Sequence, residues 1–407
     1  MMTVLQLHPA TLWRQVWGLA AMLAALLVSL IIYQSHQSDI LNNLGFSQFA
    51  AFLGVLQGVL GAVLEPLVGG FSDRIKRHFG SRLPQITAGI TLAGLLFVLL
   101  AILLPINLPI SLRWVFPVLM SIWLAAMITI RGPIVALLRQ LAPTDQLPIA
   151  NSILILVLGL VGALNPLLTE ALNYVGASIS FMLGAIVLVI GGAMLYTTLP
   201  HHRLGDIAAP TSASLPQPKT RWILMLMALV GMGTAIQVDL LLTVFIPHLQ
   251  PAFPSLRSAL LTSIVLLIAA LTANPLGWLT SRWGAIRAMQ VGLGSILLLM
   301  AIALLPIQGF LAAILLLGFG VAFGLVFISM VPFALSYVPP EQTGLSAGLF
   351  FGGNSAGITL FYLLHLQPNL GNILFDFWIA AIAWGATIYW LHRCQVQVDR
   401  NRNLVGD

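Results

Sequence analysis

Twelve apolar runs of about 20 residues, each closed by a short polar break, constrain this chain more than anything else in it. They cover 12–33, 47–70, 84–105, 112–138, 147–171 and 177–198 in the first half. In the second half they cover 221–247, 257–280, 286–306, 309–334, 343–364 and 372–393. Backbone groups in lipid must satisfy one another, and no stretch alternates with the period of two that a barrel wall needs. Each run is therefore expected to be a helix. Composition agrees where it decides: of 407 residues, 59% are hydrophobic and 7% charged, against about 25% charged in a soluble domain. The expected fold class is an all-α polytopic membrane protein with twelve transmembrane helices.

That expectation removes several functions. The 17 lysines and arginines are split among membrane loops, too thinly for the basic patch that nucleic-acid binding requires. One cysteine, Cys394, excludes a disulfide framework and any multi-thiolate metal site, and no metal or cofactor is expected. His201 and His202 are adjacent but lie in a hydrophilic stretch and read as solvated. The first apolar run continues past Tyr33 with no small-residue cleavage site, so no secretory signal is expected. Without a Walker-type loop, ATP-driven transport is disfavoured, and covalent chemistry is not expected.

The longest polar stretch, Pro200–Thr220, divides the chain into 1–199, a linker at 200–220, and 221–407. Fourteen of the basic residues fall on the side of the N-terminus, and only Arg113 and Arg257 fall opposite, with Arg131 inside a run. This asymmetry predicts both termini in the cytoplasm, and in the inner membrane if the cell is bacterial. A repeat supports the halving. Gly69, Asp73, Arg74, Gly80 and Arg82 follow the second run, and Gly277, Ser281, Arg282, Gly284 and Arg287 follow the eighth.

Gly69, Asp73 and Arg74 resemble the start of the GxxxDRxGRR loop of the major facilitator superfamily, with four extra residues before Gly80. The whole stretch from Glu65 to Pro84 looks like the QPLVGxxSDRxxxRFGRRRP segment of plant sucrose–proton symporters, within a wider group of glycoside–cation symporters. Arg131, Gly132 and Pro133 resemble that group's QGPxRAL, and Ala150, Asn151 and Ser152 its ANAxxS. The run from Pro332 to Leu335 with Gly344 to Gly348 resembles its PFAL…GLSxG. Val135 stands where the group has an arginine, and Gln140 where it has an aspartate. The resemblance implies a major facilitator fold of two six-helix halves. It further implies alternating-access transport of a small solute, sugar- or glycoside-like, by a monomer coupled to a proton or sodium gradient.

Charges inside the apolar runs are the candidates for mechanism, because each costs about 2.5–3.5 kcal/mol to insert. Glu65 lies about 12 Å deeper than Asp73 and shares a helix face with Gln57 and Gly61. It reads either as an edge carboxylate paired with an arginine or as a proton or substrate site. Arg131 lies about 12 Å inside Arg139. It suits an anionic group of the substrate, or a structural pair with Glu65. Asp239, after Gln237, either faces that pair from the other half or caps a helix break before Pro247. Asn151 and Asn354 are further polar candidates, with interhelical hydrogen bonding as the alternative. Gly69, Asp73, Arg74, Gly80, Arg82, Gly277 and Arg282 are read as a conformational gate, with Asp73 taking a cation or capping a neighbouring helix. Glu170 and Asp376 read as interfacial, and Trp123 and Trp384 as packing residues or stacking platforms.

Two rivals to a solute importer stand beside it. One is a proton-coupled exporter of an amphipathic compound, favoured by the sparse polar inventory. The other is a non-transporting pigment- or lipid-handling assembly factor on the same scaffold.

Overall fold

A computed structural model describes residues 11–106, 108–199, 217–306, 309–365 and 372–403. The first half runs α1 (Trp13–Asn43), α2 (Ser47–Phe79), α3 (Leu83–Leu103), α4 (Val115–Leu141), α5 (Leu147–Ala163), α6 (Asn165–Val175) and α7 (Ala177–Thr198). Next come α8 (Gln217–Leu240), a π turn (Leu241–Phe245), α9 (Ile246–His248), α10 (Ser258–Leu271) and α11 (Ala273–Trp283). The chain closes with α12 (Ala285–Ala303), α13 (Phe310–Ser336), α14 (Thr343–His365) and α15 (Ile373–Asn403). Among the described residues ten helices are long and apolar enough to cross a membrane, and twelve spans result if the bent pairs α5–α6 and α10–α11 each count once.

Several helices outrun their apolar cores. The glycine-rich segment expected as a loop after residue 70 is helical in α2 as far as Phe79. Nothing between Gly70 and Phe79 breaks a helix, and the turn comes only at Gly80, whose φ of +73° closes α2 with its N–H on the Lys76 carbonyl at 2.9 Å. Gly69, Asp73 and Arg74 are therefore helical, and Gly80–Arg82 alone joins α2 to α3. Of the expected linker, 200–216 lies outside the described residues, while 217–220 already belong to α8.

Prolines act in two ways. Pro66, Pro133 and Pro332 sit inside continuous helices. Pro166 and Pro275 follow breaks of 52° and 59°. Each lacks an N–H, and its ring displaces the carbonyl four residues earlier. The π turn sits just before Pro247 and absorbs the same conflict without a sharp bend.

Within the first half, α1 packs on α7, α4 and α5, and α3 bridges α4 and α7. Stacked rings form its core: Tyr33 on Trp123 at 4.5 Å, Trp123 on Phe97 at 4.4 Å, and Phe97 on Phe181 at 5.2 Å. Trp123 is fully buried there, so it is a packing residue and not an open stacking platform. In the second half α8 packs on α14 and α15, and α13 on α10 and α12.

Two seams join the halves. Along α2 and α14, which run antiparallel, Gly69 meets the Gly344 backbone, Gly348 meets the Glu65 backbone, and Gly352 meets the Pro66 ring. Gly61 and Gly58 continue the seam against Ser355 and Thr359. Small residues let these backbones touch, the usual source of helix affinity where lipid competes equally for apolar side chains. In the second seam α5 lies against α10 and α11, with Gly159 on Ala270 and Gly277 on Ser152.

Candidate functional site

The basic segment from Arg74 to Arg82 marks one end of the bundle, called here the basic end. At that end a latch joins the halves. Asp73 accepts the N–H groups of Gly344 at 2.9 Å and Leu345 at 2.8 Å, in the first turn of α14. Those donors have no partner within their own helix, and the helix dipole favours a carboxylate beside them. Arg82, fully buried, donates to the same carboxylate, to Thr343 Oγ1 at 2.9 Å and to Ser72 Oγ at 3.2 Å. Burial works against its charge and the Asp73 carboxylate supports it. Lys76 Nζ donates to the Pro340 carbonyl at 3.3 Å. Asp73 thus takes both a cation and a helix N-terminus.

The matching segment of the second half lacks this chemistry. Ser281 replaces the aspartate and bonds its own helix at Trp278 O, and Arg282 lies over the Trp278 ring at 3.4 Å. Gly277 contributes by close packing alone, and Arg74 is exposed. Asn151, buried completely, donates to the carbonyls of Phe327 at 3.2 Å and Ile328 at 2.9 Å. It therefore ties α5 to α13 as part of the closure.

About 12 Å along α2 from the latch, Glu65 and Arg131 come together. Arg131 Nη1 lies 3.8 Å from Glu65 Oε1, and the guanidinium sits 4.5 Å over the Phe351 ring of α14. Ser355, also on α14, lies beside Glu65. The two partners are unequally covered: the Glu65 side chain is 2% exposed and that of Arg131 47%. Glu65 Oε2 is buried without a partner. At 3.8 Å the pair is looser than the 2.7–2.9 Å of a good charge-assisted hydrogen bond. Arg131 thus reaches across the α2–α14 seam with most of its donors uncommitted.

Asp239 does not join the pair. The parallel register of α8 and α14 sets Gly231 beside Phe350 and Gly357 beside Met232, which carries Asp239 to the level of Tyr362. Tyr362 lies seven residues beyond Ser355, or about 10 Å. Asp239 Oδ2 is buried without a partner, and its carbonyl accepts Thr243 Oγ1 at 2.6 Å as the π turn begins. Gln57 is half-buried on α2, and Asn354 is half-buried on α14 beside Gly231.

Sequence reasoning passed over Phe351, Ser355 and Thr343, although Gly344, Gly348 and Gly352 at four-residue spacing mark the helix that carries them. It also took Asp376 for an interfacial residue. Asp376 is buried, and its Oδ1 meets His365 Nε2 at 3.0 Å, joining the last turn of α14 to the first turn of α15. A groove of about 390 Å³ between α1, α5 and α7, lined by Arg14, Trp17 and Met194 among others, contains none of these site residues.

A sequence profile of the Major Facilitator Superfamily matches residues 17–362. No curated protein sequence matches the chain. Among solved structures, the human organic anion transporter MFSD10 (TETRAN) is similar with a TM-score of 0.60 and 15% identity, over 95% of this chain and 99% of that one. A bacterial homologue of the iron transporter ferroportin, solved in an outward-facing state, is similar with a TM-score of 0.65 and 16% identity, again over 95% and 99%. At such identities the likeness is one of fold. The profile covers most of the chain, which therefore belongs to the Major Facilitator Superfamily.

Proposed function

We propose that this secondary transporter moves a small solute by alternating access, with the solute bound at Arg131 and a proton as the coupling ion carried on Glu65. The observation that carries this reading is the half-exposed Arg131, held between helices of opposite halves and loosely paired with a buried carboxylate. A charge in that position is costly unless it is used. The latch lies on one side of the pair only. If the basic end is cytoplasmic, with both termini inside, the latch closes the inward side.

A sugar or glycoside, implied by the resemblance to the sucrose symporters, draws little support from the residues at hand. Ser355, Gln57 and Asn354 are few partners for a disaccharide, whose hydroxyls all lose water on binding. An amphipathic solute fits the inventory better, whether imported or exported. The assembly-factor alternative predicts that Glu65 and Arg131 serve packing alone. Purified protein in proteoliposomes, given an imposed pH gradient and a broad solute panel, tests the reading. Wild-type flux that falls at least about tenfold in Glu65→Gln and Arg131→Gln is the expected result. No flux of any solute under any ion gradient would remove the proposal.

A further inference from the structure

We infer that the solute is an organic monoanion with an apolar body, bound through its charged group to Arg131, and that one proton enters Glu65 each time it binds. This rests on the transporter reading above and names the substrate class of the same site.

Arg131 carries five N–H donors, and the structure gives them one long contact, to Glu65 Oε1 at 3.8 Å. A guanidinium fork with open donors matches a carboxylate or sulfonate in a bidentate geometry. The surroundings are apolar. One turn earlier on the same face of α4 are Met127 and Ile128, one turn later is Val135, and the Phe351 ring lies beneath the guanidinium. A single guanidinium beside a carboxylate suits a monoanion better than inorganic phosphate.

Charge balance then sets the role of Glu65. Arg131 is the only charged group facing it from α4, and α14 presents Ser355, Phe351 and the Gly348 and Gly352 backbone. In the empty site the Arg131–Glu65 pair is neutral. When an anion takes the open donors of Arg131, an ionised Glu65, 2% exposed, would share that one cation with a second negative charge. A buried carboxylate that must share its cation with a second anion is costly to keep ionised. A proton on Glu65 removes that cost, and its Oε2, which has no partner in the structure, is free to carry it. The loaded site is then Arg131⁺ with the anion and neutral Glu65, again without net charge. One proton accompanies one monoanion, and binding tightens as pH falls.

Equilibrium binding of radiolabelled benzoate, octanoate and hippurate to the purified full-length protein at about pH 5.5 and about pH 8 tests this, with benzamide, sucrose and phosphate as controls. Wild type is expected to bind at least one of the three anions roughly tenfold more tightly at the lower pH and to bind none of the controls. Glu65→Gln, nearly isosteric, is expected to bind with no pH dependence. Arg131→Gln is expected to lose binding, and Arg131→Lys, a safer variant for folding, to weaken it. The inference is overturned if none of the three anions binds wild type, if benzamide or sucrose binds as tightly as its best anion, or if Arg131→Gln retains wild-type affinity. It is equally overturned if pH dependence survives in Glu65→Gln. Flux of a neutral solute that depends on Arg131 would remove the anion and leave the transporter reading standing, whereas absence of all flux would remove both.

Discussion

Asp73 concentrates more of the closed arrangement in one side chain than any other residue, since it holds the first turn of α14 and the buried Arg82 together. Asp73→Asn keeps the size and removes the charge, leaving Arg82 buried without a counter-ion. The expected effect is a loss of about 3 kcal/mol from the closed basic end. A cysteine placed at Ala347, fully covered in the closed state, should then react with a thiol reagent much faster than in the parent. At the far end of α14, His365→Leu leaves Asp376 buried without its partner. A loss of about 1–3 kcal/mol is expected, read as a lower unfolding temperature in detergent. Asp73, Arg82, Glu65 and Arg131 were legible in the sequence because a charge in an apolar chain is rare and expensive. His365 and Asp376 were not: each lies near the end of a run, where water ordinarily solvates such groups, and only the fold brings them together. Ser355 and Phe351 were illegible for another reason, since serine and phenylalanine are common in any span.

At the scale of the helix, the α2–α14 seam depends on missing side chains. Gly348→Leu would drive a branched side chain into the Glu65 backbone and part the two helices. It is expected to cost at least about 1–3 kcal/mol and to abolish the closed state, as seen in melting and in labelling at position 347. Gly54→Ala on α2 meets nothing within 4 Å and should leave melting unchanged or raise it. The twelve spans were readable because about 20 apolar residues in succession admit one structure in lipid. The bends were not. Of the prolines within spans, Pro66, Pro133 and Pro332 leave their helices intact, while Pro166 and Pro275 follow breaks. Proline withdraws one hydrogen bond in every case, and neighbouring helices decide whether the chain bends. Arrest of α2 only at Gly80 was likewise hidden, because polarity marks where a helix leaves lipid and not where it ends.

For the whole molecule, the two halves carry unequal versions of one repeated segment. The first supplies Asp73 and Arg82 to the latch, and the second supplies the close packing of Gly277. Asp239 stands about 10 Å of helix beyond the level of Ser355, a separation set by helix register, which no single-chain pattern encodes. Opening at the basic end must break the contacts of Asp73, Lys76 and Asn151 together, while the second seam at Gly159 and Ala270 allows the halves to rock. Locking that end tests alternating access most directly. Cysteines at Lys76 and Glu341, flanking the contact of Lys76 with Pro340, can be joined by a short bis-methanethiosulfonate reagent after Cys394 is replaced by serine. Solute flux in proteoliposomes is predicted to stop on cross-linking and to return on reduction; flux that continues unchanged in the cross-linked protein would contradict the account.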